Sequence, residues 1–330
     1  MENLFARLFD ILKNGEDAVL ITTCGPDGIA KTLRTGGELA EWAGRGRGND
    51  SLFLERGEGK AVIIERFLPR PRMIIFGGGH VSLPLSRMAS MLDFDVTVFD
   101  DRPAFASVER FPWASEVICD GFENAARLSI RASDYAVIVT RGHRHDQDCL
   151  RAVFSGEAPF YMGMIGSRRR VAVVRGQMND EGYDPALVER LHAPIGLSIG
   201  AVTPEEISVS ILAEVISEKR SAGPARQGEN YADMALMEWL ACREEKAALV
   251  TVLSTSGSTP RESGAKMVVQ RDGRTIGSIG GGCAEAGVIR AALDLMERGR
   301  WRIKNVDMTD SAEEDGMVCG GSMETLIEGL

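Results

Sequence analysis

Between residues 72 and 170, short apolar runs alternate with stretches of helical spacing. "RMIIFGGGH" is an apolar run entering glycines, and "VSLPLSRMASMLDF" follows with apolar residues three and four apart. "DVTVFDDR", "EVICDG", "DYAVIVTRGH" and "FYMGMIGSRRR" are further apolar runs of strand length, each ending in polar residues or glycine. Continuously apolar strands separated by helices predict a parallel sheet covered on both faces. The segment "TPEEISVSILAEVISEKR" reads as the closing helix: Thr203 caps it, Pro204 suits its first turn and Glu206 completes a capping box. The small, polar, breaker-rich "SAGPARQGEN" that follows reads as a linker.

The two ends show a second pattern, and they resemble each other. An amphipathic "LFARLFDILKNGED" runs into "AVLITTCGPDGIAKTLRTGGE" near the start. After the linker, "YADMALMEWLACREEK" runs into "AALVTVLSTSGSTPRESGAKMVVQRDGR". Each is a helix, an apolar strand, a small-residue turn and a strand containing Ala-Lys. Their exits also correspond, "KAVIIERFL" against "METLIEGL". Two copies of one module are expected to flank the central domain, the first shortened and lacking the later glycine-cysteine stretches. The expected boundaries are 1–66 for the first module, 67–220 for the central domain, 221–232 for the linker and 233–330 for the full module. The fold class is then α/β: a Rossmann-like parallel sheet domain with flanking α+β modules.

Composition narrows the function. A chain of 330 residues with 44% hydrophobic and 26% charged residues is ordinary for a globular protein of two or three domains. The net charge of -10 argues against a protein built around nucleic-acid phosphates. No apolar run reaches the ~18 residues of a membrane span. The start has neither a basic leader nor a small-residue cleavage site. Six cysteines without paired spacing point to a reducing cytoplasm. Cys24, Cys119, Cys149 and Cys242 read as packing residues.

Four constellations carry chemistry. Gly77-Gly78-Gly79-His80-Val81-Ser82 fits G-x-G-x-x-G with serine last, after a strand and before a helix. Asp100 closes the next strand, where an acid accepts from a ribose hydroxyl. Arg102 nearby suits an extra phosphate. "TRGHRHDQD" holds His143 and His145 at the carboxyl end of a strand, where open α/β sheets bind ligands. A metal there requires both histidines on one face of an extended loop; the alternative is a polar loop whose Asp146 caps a helix. "GSRRR" places Gly166 and Ser167 ahead of Arg168 and Arg169, a helix end rich in guanidinium groups that suits an anion. Last, "GSIGGGCAEAG" and "GMVCGGS" hold Cys283 and Cys319 among glycines. The first sets Cys283 at a helix N-terminus, where backbone amides favour the thiolate, with Gly281 and Gly282 clearing space. Arg261 and the hydroxyls of "STSGSTPRESGAKM" lie in a turn that could face the same thiol. Either these cysteines act through sulfur, or they are small residues at tight turns.

The runs "TVLSTSGSTPRESGAKM", "GSIGGGCAEA" and "DGMVCGGSMETLIE" resemble the XdhC/CoxI domain of xanthine dehydrogenase accessory proteins. "IIFGGGHVSLPLSRMASMLDFDVTVFDDRPAFA", "IVTRGHRHDQDCL", "YMGMIGSRRR" and "LHAPIGLSIGAVTPEEISVSILAEV" resemble that family's Rossmann domain. The order differs, since the family commonly places the CoxI-like domain first. The resemblance implies a cytoplasmic, homodimeric chaperone rather than a turnover enzyme. Such a protein binds molybdenum cofactor, promotes its sulfuration with a cysteine desulfurase and hands it to a molybdenum hydroxylase apoenzyme. On this reading the cofactor phosphate meets the Gly77–Gly79 turn, with Arg168 and Arg169, and the molybdenum faces Cys283 and Cys319. The rival is an oxidoreductase using NAD(P) in the Rossmann domain. Nucleic acid and membrane are excluded as partners.

Overall fold

The computed structural model describes residues 3–36, 52–57, 60–221, 233–298, 300–307 and 321–330. The chain divides into two compact units, residues 70–223 and a discontinuous unit of residues 1–69 with 224–330.

The chain opens with helix α1 (Leu4–Lys13), whose N-cap Asn3 accepts from the Phe5 amide and whose Phe5, Leu8 and Leu12 are buried. Strands β1 (Ala18–Gly25), β2 (Gly28–Thr35), β3 (Leu52–Gly57) and β4 (Lys60–Phe67) form an antiparallel sheet in the order β2-β1-β4-β3. The β1–β2 turn is tight, and Gly28 there takes φ +122°, a conformation glycine adopts without steric cost.

The central unit is the parallel sheet that the apolar runs predict. β5 (Arg72–Phe76) leads into α2 (Ser82–Met91), then β6 (Asp95–Asp100) and the edge strand β7 (Glu116–Cys119). β8 (Tyr135–Ile138), α3 (His143–Phe154), β9 (Tyr161–Met164) and α4 (Arg168–Asp180) follow, then the short α5 (Pro185–Glu189) and α6 (Pro204–Ser221). Strand order is β7-β6-β5-β8-β9, all parallel. One face packs Ile74, Phe76, Ile138 and Met164 with α3 and α4; the other packs Met73, Ile75, Val98 and Val137 with α2 and α6. Burial on both faces is why these strands read as unbroken apolar runs. The Thr203 capping box forms as expected: the Glu206 amide donates to Thr203 Oγ1 at 3.2 Å, and Glu206 accepts from the Thr203 amide at 3.0 Å.

The last segment begins with α7 (Met234–Cys242), capped by Asp233. β10 (Ala247–Ser256), β11 (Lys266–Gln270), β12 (Thr275–Gly277), α8 (Gly282–Arg298), β13 (Trp301–Asp307) and β14 (Ser322–Gly329) complete the chain. The sheet order is β12-β11-β10-β14-β13, antiparallel throughout. α8 lays Val288, Ala292, Leu295 and Met296 on one face of this sheet, against Val250, Val252, Met267 and Ile327. The opposite face packs on the first module: Leu236, Leu240, Leu249 and Val268 share a core with Phe5, Leu8, Leu20 and Phe67. The terminal modules are therefore joined through their sheets although the whole central unit separates them in sequence.

Candidate functional site

At the carboxyl end of the parallel sheet, the glycine turn is held by the protein itself. Gly77 has φ +105°, and a Cβ there would stand 2.7 Å from the Val139 carbonyl oxygen. At Gly78 a Cβ would stand 1.9 Å from the Phe105 carbonyl oxygen. Both glycines thus admit neighbouring backbone, and of the three only Gly79, beside the exposed His80, opens to free space. Arg110 donates to the Gly78 carbonyl at 3.1 Å and the Gly79 carbonyl at 3.4 Å.

Asp100 corrects an expectation. It is buried, and its carboxylate accepts from the Gly78 amide at 2.7 Å. It also accepts from the Arg102 amide at 3.0 Å and from the Arg102 guanidinium at 2.8 and 2.9 Å. Four donors fill the capacity of a carboxylate, so the acid expected to meet a ribose is committed within the chain. Arg102, expected to suit an extra phosphate, is likewise engaged: it pairs with Asp100 and lies 3.7 Å over the Phe105 ring.

The histidine loop is also different in kind. His143 opens α3, so His143 and His145 sit two apart on a helix, a spacing that does not share a face. The shared-face metal reading fails for that reason. The His145 ring packs 5.0 Å from that of Phe122. Among the described residues no group of three or more His, Cys, Asp or Glu is gathered to hold a metal. Asp146 is buried, accepting from Thr140 Oγ1 at 2.5 Å and pairing with Arg170. Arg141 forms a two-bond pair with Asp101, at 2.7 and 2.8 Å, which holds the Asp101 carboxyl below its usual range. The "SRRR" helix start therefore divides. Ser167 caps α4 by accepting from the Arg170 amide, Arg170 turns inward to Asp146, and Arg168 and Arg169 stay exposed beside Gly166.

In the C-terminal module, two turns and the residue that leads into β14 meet at one end of the sheet. The turn after β10 touches the glycine turn before α8: Arg261 Nε donates to the Ser278 carbonyl at 3.3 Å, and a Cβ on Gly280 would stand 2.5 Å from Pro260 Cγ. The same turn touches the start of β14, where a Cβ on Gly321 would stand 2.4 Å from the Ser258 carbonyl oxygen. Gly277, Gly280 and Gly281 have φ of +75°, +141° and +75°, which glycine alone adopts readily. Gly281 borders open space, Gly282 begins α8 and Cys283 is its second residue. Cys319 falls outside the described residues.

Sequence reasoning missed what fastens this turn. One oxygen of Glu285 accepts from Ser278 Oγ at 2.7 Å and from the amides of Ile279, Gly280 and Gly281 at 3.0, 3.3 and 2.9 Å. Burial raises the affinity of Glu285 for a proton, but the Ser278 hydroxyl and the three amides outweigh it and hold its pKa below the ordinary value. A glutamate in the first helical turn after a glycine run was the available signal. Of the four cysteines read as packing residues, Cys119 and Cys242 are exposed instead, and Cys24 and Cys149 are buried. Cys24 is buried, and that burial, with the Glu328 charge, pushes its pKa up to about 11. Cys149 is buried, and chiefly that desolvation pushes its pKa well above the ordinary value. Neither forms a thiolate readily.

A Rossmann domain joined to a module with a cysteine behind a glycine turn defines a two-part class of protein, and comparison identifies it. A family model described as the XdhC Rossmann domain matches residues 73–215, and one described as the XdhC and CoxI family matches residues 240–307. The chain belongs to the XdhC and CoxI family. It is 33% identical over 160 residues to a probable xanthine dehydrogenase subunit of Bacillus subtilis, covering 48% of this chain and 46% of that protein. It is 46% identical over 84 residues to the molybdenum cofactor insertion chaperone PaoD of Escherichia coli, 26% of each chain. The chain thus spans less than half the length of the curated relatives it matches. A crystal structure described as a xanthine dehydrogenase from Bacillus halodurans superposes with a TM-score of 0.53 at 27% identity, over 67% of this chain and 68% of that one.

Proposed function

We propose that the protein is an accessory factor for a xanthine dehydrogenase-type molybdenum hydroxylase, taking up molybdenum cofactor as cargo and assisting its sulfuration and insertion. The observation that carries this reading is the convergence on the 257–261 turn of the glycine turn that leads into the helix of Cys283 and the strand start that follows Cys319 in sequence. The chaperone role stated in the name of PaoD and the family membership support it. The donor set fits the cargo. A thiolate is a soft ligand for molybdenum and a nucleophile toward persulfide sulfur, and the backbone at Gly281, two residues before Cys283, borders open space. When bound, the cargo supplies the exchange of a terminal oxo group for sulfido.

The chain's own residues would bind and orient. The Glu285-fastened turn fixes where α8 begins and so where Cys283 stands. Cys319 is proposed as the second thiol of the module. Gly79, His80, Ser167, Arg168 and Arg169 present open backbone and free cations to an anionic group such as the cofactor phosphate. Asp100 and Arg102 hold the glycine turn in shape, so the rival dinucleotide reading lacks its ribose acceptor. A cysteine desulfurase and the hydroxylase apoenzyme are the proposed partners, in the cytoplasm.

Native mass spectrometry of the purified protein mixed with molybdenum cofactor tests this. Wild type should carry the cofactor mass, and Cys283→Ala should lose most of it along with hydroxylase activation. Undiminished retention and activation in that variant would overturn the role of Cys283.

A further inference from the structure

The terminal modules correspond in strand order and at matched positions on the facing sheets. β1 lies between β2 and β4 with β3 outside, as β10 lies between β11 and β14 with β13 outside. Thr22 faces Lys31 across its strand pair as Thr251 faces Lys266. Leu20 faces Glu65 as Leu249 faces Glu328. Each lysine donates to its own module's threonine, Lys31 to Thr22 at 3.0 Å and Lys266 to Thr251 at 3.1 Å. Each also crosses to the other module's glutamate: Lys31 pairs with Glu328 at 2.9 Å, and Lys266 pairs with Glu65. Glu65, Lys266 and Glu328 are buried, and Lys31 nearly so. α1 packs beside α7, and Asn3 Nδ2 donates to the Leu240 and Ala241 carbonyls at 3.0 and 2.8 Å.

A contact in which the lysine of each half meets the glutamate of the other is isologous, the pattern of a two-fold pair. Here both halves belong to one chain. We propose that the inner sheet face of the C-terminal module, built on Leu249, Thr251, Lys266, Val268 and Glu328, is a self-complementary pairing surface. The N-terminal module occupies it in cis, and a second copy of the C-terminal module fits it when that occupant is excluded. In such a pair, Lys266 of each copy meets Glu328 of the other. Mismatching a buried charge rejects a partner strongly, so these four residues select what docks. The tether keeps the N-terminal module at high effective concentration, so it wins in the native chain. The first module is then a built-in partner, and this inference stands independently of the cofactor reading.

Charge reversal in the full chain tests it. Lys266→Glu with Glu328→Lys sets Glu against Glu65 and Lys against Lys31, breaking both cis pairs. Pairing between two C-terminal modules stays complementary with the polarity reversed. Light scattering after size exclusion should show the mass double relative to wild type. Adding Lys31→Glu and Glu65→Lys restores the cis pairs and should return the wild-type mass and melting temperature. Lys31→Glu with Lys266→Glu mismatches both arrangements and should lower the melting temperature without doubling. The proposal is overturned if the first variant keeps wild-type mass, if it only loses melting temperature as the third does, or if the four-residue variant fails to recover.

Discussion

A single side chain fastens the glycine turn that leads into α8. Four of the bonds that fasten the Ser278–Gly281 turn go to one oxygen of Glu285. Glutamine keeps a carbonyl oxygen at that place and gives up only the charge, whereas alanine leaves the Ile279 and Gly281 amides and the Ser278 hydroxyl without that acceptor, the Gly280 amide keeping Ser278 Oγ at 3.1 Å. Hydrogen bonds to a charged group contribute about 1.5–3 kcal/mol each at most, and less where water replaces the partner. Since this turn is partly exposed, Glu285→Ala is expected to cost on the order of 1–2 kcal/mol in denaturant unfolding, and Glu285→Gln less than half of that. Equal losses in the two variants would mean that charge, not the acceptor, holds the turn. A fastened turn also predicts lower hydrogen-exchange protection across residues 278–281 in the alanine variant.

Elements tell a different story about what sequence reveals. The parallel sheet was legible because both faces of β5, β6, β8 and β9 are buried, so each of these reads as an apolar run ending in its loop. The capping box of α6 was legible because it is local. The purpose of the glycines at β5 was not. Gly78 looks like a ligand-clearing residue, yet it admits the Phe105 carbonyl, a contact set by the loop after β6. Asp100 looks like a free acceptor because its partners Gly78 and Arg102 are assembled only by the fold. Lys31 and Lys266 pass for surface residues because their partners lie some 200 to 300 positions away. The glycine reading makes a sharp prediction. A methyl group at residue 78 would meet a backbone oxygen 1.9 Å away, so Gly78→Ala should force the 102–106 loop outward. Overpacking of this kind costs roughly 1–3 kcal/mol or more, read as a lowered urea midpoint. Were Gly78 instead clearing space for a ligand, the variant would retain its midpoint and lose only binding.

Across the whole molecule, the two units carry titrating groups whose linkage to stability has opposite sign. In the central unit, His192 lies beside Glu214, which also accepts from Tyr161 Oη at 2.5 Å and from the Gly196 amide at 3.0 Å. Hydrogen bonding to Glu214 raises the His192 pKa above its ordinary value, with Glu218 adding to the effect and burial and Arg175 opposing it. A raised folded pKa means that this stabilisation is complete below the unfolded value of 6.5 and is lost as pH rises through the folded value. In the other unit, the Glu285 pKa is lowered, so its contribution is complete above the unfolded value of 4.5 and is lost as pH falls through the folded one. Melting curves of wild type, His192→Gln and Glu285→Gln between acid and mildly alkaline pH should therefore diverge oppositely. The gap between wild type and His192→Gln should close on the alkaline side, and the gap for Glu285→Gln should close on the acid side. Hydrogen exchange assigns each change to its unit: residues 191–215 for the first and residues 278–290 for the second. A His192 gap that widened with rising pH would show that Glu214 holds the imidazole through shape rather than charge.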